Sequence, residues 1–192
     1  MRLHAAILAP IVFFAGAVGA QSTLRSAPST RATVEVALST PRPQGATGAA
    51  PAPHVLRIEY GQPHARGRTV AGALPDDLNK IWRLGANTST TLKTDVDLVI
   101  GGTVVPKGLY SLYAETSAQG PWKLIINTNT GQWGTEYVAE RDHARVPLTG
   151  KTLATPVESL SITLVPGAEG APRGDLRIMW GTREFTTTWA VR

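Results

Sequence analysis

The 192-residue chain has no cysteine, which excludes structural disulfides and lipid attachment at a lipoprotein cysteine. An exported chain without cysteine fits a bacterial envelope more easily than a eukaryotic secretory route, where small exported domains lean on disulfides. Charge is also sparse. Charged residues make up 17%, the formal net charge is +5, and no more than two lysines or arginines are adjacent. A phosphate-tracking surface would cluster its bases, so no nucleic-acid partner is expected. The apolar run Ala5–Val18 falls short of the ~20 residues that span a bilayer. No segment repeats at a fixed period, which excludes propellers and solenoids. No Gly-x-Ser-x-Gly elbow is present. His54, His64 and His143 lie far apart, so no local metal pair exists and neither a metal nor a cofactor is expected.

What is present begins with a secretory pattern. Arg2 precedes the apolar run, and Val18-Gly19-Ala20 offers small residues for cleavage, so residues 1–20 read as a signal peptide and the protein as periplasmic or extracellular. Residues 21–31 read as a flexible leader rich in Ser, Thr, Ala and Pro. Residues 32–192 make one domain. Thr40–Pro53, with four prolines and two glycines among fourteen residues, reads as a mobile insertion.

The rest alternates with a period of two. Val34-Val36-Leu38, Leu56-Ile58-Tyr60, Val96-Leu98-Ile100, Tyr110-Leu112-Ala114, Trp122-Leu124-Ile126 and Leu160-Ile162-Leu164 each place apolar side chains on one face, with Gly101-Gly102, Pro106-Lys107-Gly108 and Pro166-Gly167 as punctuation. Val146 and Leu148 around Pro147 read as a short edge strand. Leu176–Trp180 and Phe185–Val191 read as a closing hairpin turning near Gly181-Thr182. Asp76-Asp77 followed by Leu78, Ile81 and Trp82 predicts one or two helical turns stopped at Gly85. The sum is an all-β antiparallel sandwich, preferred over a barrel, of about nine or ten short strands with one short helical segment.

Several blocks also carry a resemblance. Ile58-Glu59-Tyr60-Gly61-Gln62-Pro63, Gly67-Arg68, Trp82-Arg83-Leu84-Gly85-Ala86-Asn87, Pro106–Leu112, Trp122–Asn127 and Gln132-Trp133-Gly134 resemble, in order and spacing, the bacterial exported domain-of-unknown-function family numbered 2911. The resemblance runs from about Ala32 to the carboxyl end. It implies an exported β-rich domain and no assigned activity. Relatives usually have an acidic residue after the asparagine of the Gly-Ala-Asn block, and this chain has Thr88. Any activity that rests on that carboxylate would be missing here.

The candidate ligand-binding residues are Trp82, Arg83, Asn87 and Trp133, with Lys93, Glu115 and Gln132 as possible neighbours. Tryptophan, arginine and an amide in loops beside a sheet suit a sugar ring or planar ligand. Trp82 and Trp133 as core plugs, with Asn87 satisfying loop backbone groups, explain the set more simply. Trp122, Trp180 and Trp189 lie in alternating strands and are expected in the core. Asp95 and Asp97 share one face, as calcium ligands or an acid and base pair would, although a solvated strand face explains them more simply. Three functions follow: a non-enzymatic binding module for a small molecule, glycan or envelope component; an envelope hydrolase using Glu115 with Asp95 or Asp97; or a periplasmic partner-binding protein that docks through the edge near Val146–Leu148.

Overall fold

A computed structural model describes residues 24–192, with only the backbone of Glu169. Residues 1–20, read as a signal peptide, and the expected leader up to Thr23 lie outside the described residues. Ten antiparallel strands form one sheet: β1 (Ser29–Leu38), β2 (His54–Pro63), β3 (Ile81–Trp82), β4 (Thr90–Thr94), β5 (Leu98–Ile100), β6 (Thr103–Val105), β7 (Gly108–Glu115), β8 (Trp122–Asn127), β9 (Asp142–Pro166) and β10 (Arg173–Val191). Their order is β1-β2-β4-β7-β8-β9-β10-β5-β6, with β3 added to β7. No described helix is long and apolar enough to cross a membrane.

The period of two is realised where it was read. Leu56, Ile58, Leu92, Leu112, Leu124 and Val146 on one half of the sheet, and Leu160, Ile162, Leu176 and Ile178 on the other, enter a single core cluster. The halves meet face to face. Trp82 stacks on Trp180 (ring centroids 5.9 Å apart, 12° between planes), and Trp122 stacks on Phe185 (4.0 Å, 15°). The Tyr60 hydroxyl accepts from the Ile162 amide at 3.1 Å. Trp122, Trp180 and Trp189 are buried, as strand alternation requires. Gly101 and Gly102, with φ of 54° and 86°, make the two-residue turn between β5 and β6, the left-handed pair that such hairpins favour.

The structure corrects the element boundaries in five places. The strands are not all short, because β9 runs 25 residues and β10 runs 19. Val146–Leu148 is the front of β9, where Leu148 pairs with Trp122 and Pro147 with Lys123. The break expected after it does not occur, since residues 149–156 stay extended while mostly exposed, and a strand wet on both faces shows no alternation. The expected turn at Gly181 lies within β10, at a register irregularity between Met179 and Gly181. Gly181 has φ 57° and its Cα abuts the Val70 carbonyl, so it bends the strand without reversing it.

The helical turns shrink to a three-residue 3-10 turn, Pro75–Asp77. Asn79 then adopts φ 57°, and Ile81 and Trp82 pair with Glu115 and Ala114. Finally, the leader ends sooner than residue 31, because Ser29–Arg31 pair with Gly61–Pro63. The Thr40–Pro53 segment is the exposed connection between β1 and β2, without regular structure.

Candidate functional site

The block from Trp82 to Thr91 is shaped by two non-glycine residues in the left-handed region, Leu84 (φ 51°) and Asn87 (φ 65°). Such a conformation in a buried leucine has to be held by its surroundings. Thr90 Oγ1 donates to the Leu84 carbonyl (2.8 Å), and the Ala86 amide donates to Gly61 O (3.0 Å). The second loop docks on the first. The Gly134 amide donates to Asn87 O at 2.9 Å, the Ser89 amide to Gln132 O at 3.2 Å, and Thr88 bridges Trp133. Gly134 must be glycine, since a Cβ there would lie 2.7 Å from both Arg83 Cδ and Asn87 O.

Beside these loops is a cleft of about 230 Å³, lined by Ser29, Arg68, Asp77, Trp82, Arg83 and Asn87 among others. Both arginines are anchored to backbone. Arg68 donates from Nε to Ala65 O (3.0 Å) and from Nη2 to His64 O (2.6 Å), and Arg83 donates from Nε to Gly85 O (3.2 Å). Among the described residues neither forms a salt bridge. Burial pushes the Asp77 carboxyl up, against the opposing pull of Arg83 and Lys80. Asn87 donates from Nδ2 to Ser29 Oγ (3.3 Å). A smaller cleft of about 180 Å³ shares Asp77, Trp82 and Arg83 with it and is also lined by Tyr113, Gly134 and Tyr137 with two others.

The loop from Asn127 to Asp142 covers the outer faces of β7 and β8 and closes a polar network beneath it. Gln132 Nε2 donates to Tyr113 Oη (2.8 Å) and Ser111 Oγ (3.2 Å). Ser111 Oγ donates to Ser89 Oγ (3.0 Å). Tyr137 donates to Asp142 Oδ2 (2.6 Å), and Arg145 joins Asp142 (2.8 Å), Tyr137 (2.8 Å) and Glu115 (3.0 Å). Burial, then the bond to Asp142, pushes the Tyr137 phenol up to about 12. The folded chain therefore holds this proton more tightly than the unfolded chain, whose tyrosines titrate near ~10. That contribution is whole below pH ~10 and is lost as pH rises towards 12. Thermal melts of the parent and Tyr137→Phe should thus differ most below pH ~10 and converge by pH ~12. A gap constant across that window would show that the phenol's proton is not linked to folding.

The candidate residues separate into groups. Trp82, Arg83 and Asn87 share the cleft of about 230 Å³. Trp82 is only 4% exposed, with Trp180 on its face and Trp122 against it edge-on, so no ring can stack there. Trp133 is 49% exposed and lines neither cleft. Gln132 supports the loop. Lys93 pairs with Asp95 at 3.6 Å and stands apart. Glu115 lies in a third, open cleft of about 540 Å³ and is paired with Lys123 (3.4 Å) and Arg145 (3.0 Å).

Asp95 takes the Val55 amide and Asp97 the Lys107 amide, each at 2.9 Å. Thr94 pairs with Gly108, so both aspartates sit at the opposite end of β7 from Glu115, roughly 25 Å away at ~3.4 Å per residue. Paired glycosidase carboxylates stand ~5 to 9.5 Å apart, so this geometry does not form the acid and base pair. Among the described residues no group of three metal-ligating side chains converges.

Sequence reading missed Arg68 and Asp77 as cleft residues, and Tyr113 and Tyr137 beneath the loop. The one available signal was the Gly67-Arg68 block, which gave no hint that it packs beside Arg83. A family model described as protein of unknown function (DUF2911) matches residues 43–188. No curated protein and no solved structure matches the chain.

Proposed function

The chain belongs to the DUF2911 family, whose description carries no activity, and from that premise we propose that it is an exported, non-enzymatic binding module for a small molecule, glycan or envelope component bearing an acidic group. The observation that carries this reading is the pair Arg68 and Arg83, both lining the cleft beside the Trp82–Thr91 loop, both steadied by backbone carbonyls, and neither in a salt bridge among the described residues. A guanidinium held this way presents a preset fork to a carboxylate or phosphate and loses little freedom on binding. Asn87 and Asp77 add an amide and a carboxyl that orient hydroxyls. The cleft, about 230 Å³, suits one terminal sugar or acid group of a larger molecule. Export is supported by the pattern of residues 1–20.

A thermal-shift panel of uronic acids, sugar phosphates and muramic-acid fragments, with neutral sugars as controls, tests the reading. At a ligand concentration near a hundred times Kd, a native-state ligand adds ~2.7 kcal/mol, a rise of ~5 to 11 °C for a chain of this size. Arg68→Gln with Arg83→Gln should abolish the rise while leaving the far-UV spectrum unchanged. Equal shifts from neutral sugars, or a shift that survives the double substitution, would sink the proposal.

A further inference from the structure

Strand β1 is one edge of the sheet and pairs only with β2. The other edge, β6, is just three residues long, but β1 runs ten residues, Ser-Thr-Arg-Ala-Thr-Val-Glu-Val-Ala-Leu. It has no proline, lysine or bulge, the devices that normally keep an edge from pairing.

The phase of its hydrogen bonds follows from its neighbours. The His64 amide donates to Pro28 O, and the register pairs Ser29 with Pro63 and Thr30 with Gln62. Antiparallel pairs alternate between bonded and non-bonded, so the even-numbered residues of β1 bond to β2. The β2–β4 side agrees: the Asp95 amide donates to Val55 O, which assigns odd-numbered β2 residues to β4. The amides and carbonyls of Ser29, Arg31, Thr33, Glu35 and Ala37 therefore point outward, with no partner among the described residues.

We propose that this edge pairs antiparallel with β1 of a second copy about a two-fold axis at Thr33. In that register Thr33 faces the partner's Thr33, Ser29 faces the partner's Ala37, and Arg31 faces the partner's Glu35 in both directions. Every facing residue in this set has an outward amide and carbonyl. Registers centred on Arg31 or Glu35 would instead oppose like charges, which is destabilising.

The pairing also extends a ladder already present, in which Arg57 bonds Glu35 (2.6 Å) and Arg31 bonds Glu59. The sequence of charges across the dyad becomes Arg57, Glu35, the partner's Arg31, the partner's Glu59. On the inner face, the partly buried Val34 and Val36 gain cover from the partner's Ala32 and Thr30. One self-complementary strand thus satisfies backbone, charge and packing in the same closed, isologous contact.

Sedimentation of the purified protein over a concentration series tests the dimer. The parent should associate reversibly. Thr33→Pro removes only an outward amide, a position where an edge strand accepts proline, so it should weaken association about tenfold or more while the melting curve holds. Should that variant misfold, the charge variants decide. Arg31→Glu and Glu35→Arg should each be monomeric alone and should associate when mixed, because each then meets its opposite charge. A parent monomeric at every concentration, an unaffected Thr33→Pro dimer, or a mixture that stays monomeric would overturn the proposal. None of these readouts depends on the ligand cleft.

Discussion

Gly61→Ala is expected to destabilise the protein by ~3 to 5 kcal/mol and to lower Tm by about 6 to 20 °C. A Cβ on residue 61 would fall 1.9 Å from Ala86 O and 2.7 Å from Ala86 C. Neither atom can swing aside, since both are backbone. The Ala86 amide donates to Gly61 O, and a Cβ on Gly85 would in turn lie 2.9 Å from Gly61 O and from Thr90 Oγ1. Two glycines thus let the Trp82–Asn87 block lie flush on β2. Separating them breaks that hydrogen bond and releases Leu84 and Asn87 from their left-handed conformations. Arg83 and Asn87 would lose their positions with them, so ligand response should fall along with stability. Circular dichroism melts measure the effect, and an alanine variant that melts with the parent would show that the block does not dock on β2 as described.

The tryptophans supply the second large effect, as a contrast between two residues from the same candidate set. Trp82→Ala should cost ~3 to 5 kcal/mol, the range for removing a large buried aromatic. It also breaks a run of rings, Trp180 to Trp82 to Trp122 to Phe185, that joins the two halves of the sheet. Trp133→Ala should change stability by no more than ~0.5 kcal/mol, because half of that side chain is already in water. Urea denaturation of the two variants separates them. Equal losses would mean that Trp133 packs more deeply than the structure shows.

Half-buried strands announce themselves along a chain. Leu56-Ile58-Tyr60 and Leu160-Ile162-Leu164 were legible because one face meets the core and the other meets water, and the two-residue period records that difference. Residues 149–156 face water on both sides, so there was no difference to record. Glycine misled for a related reason. At Gly101-Gly102 a positive φ marks a true reversal, whereas at Gly181 the same conformation marks a bend against Val70. The conformational freedom is local, but its use depends on what packs alongside. Leu78, Ile81 and Trp82 kept helical spacing by coincidence, since β7 offers an edge that captures Ile81 and Trp82 first.

The site divides along the same line. Composition and periodicity were enough to establish an antiparallel β domain and to rule out disulfides, and local pattern pointed to Arg83 and Asn87 as candidates, because each of those readings draws on residue types and on neighbours within a few residues. The company those residues keep was settled by packing: Arg68 and Asp77 beside Arg83, Trp180 over the face of Trp82, Lys93 and Glu115 drawn off to other partners. Contacts between positions tens of residues apart leave no mark on local pattern, because they arise when β9 and β10 bend the sheet back over its own core.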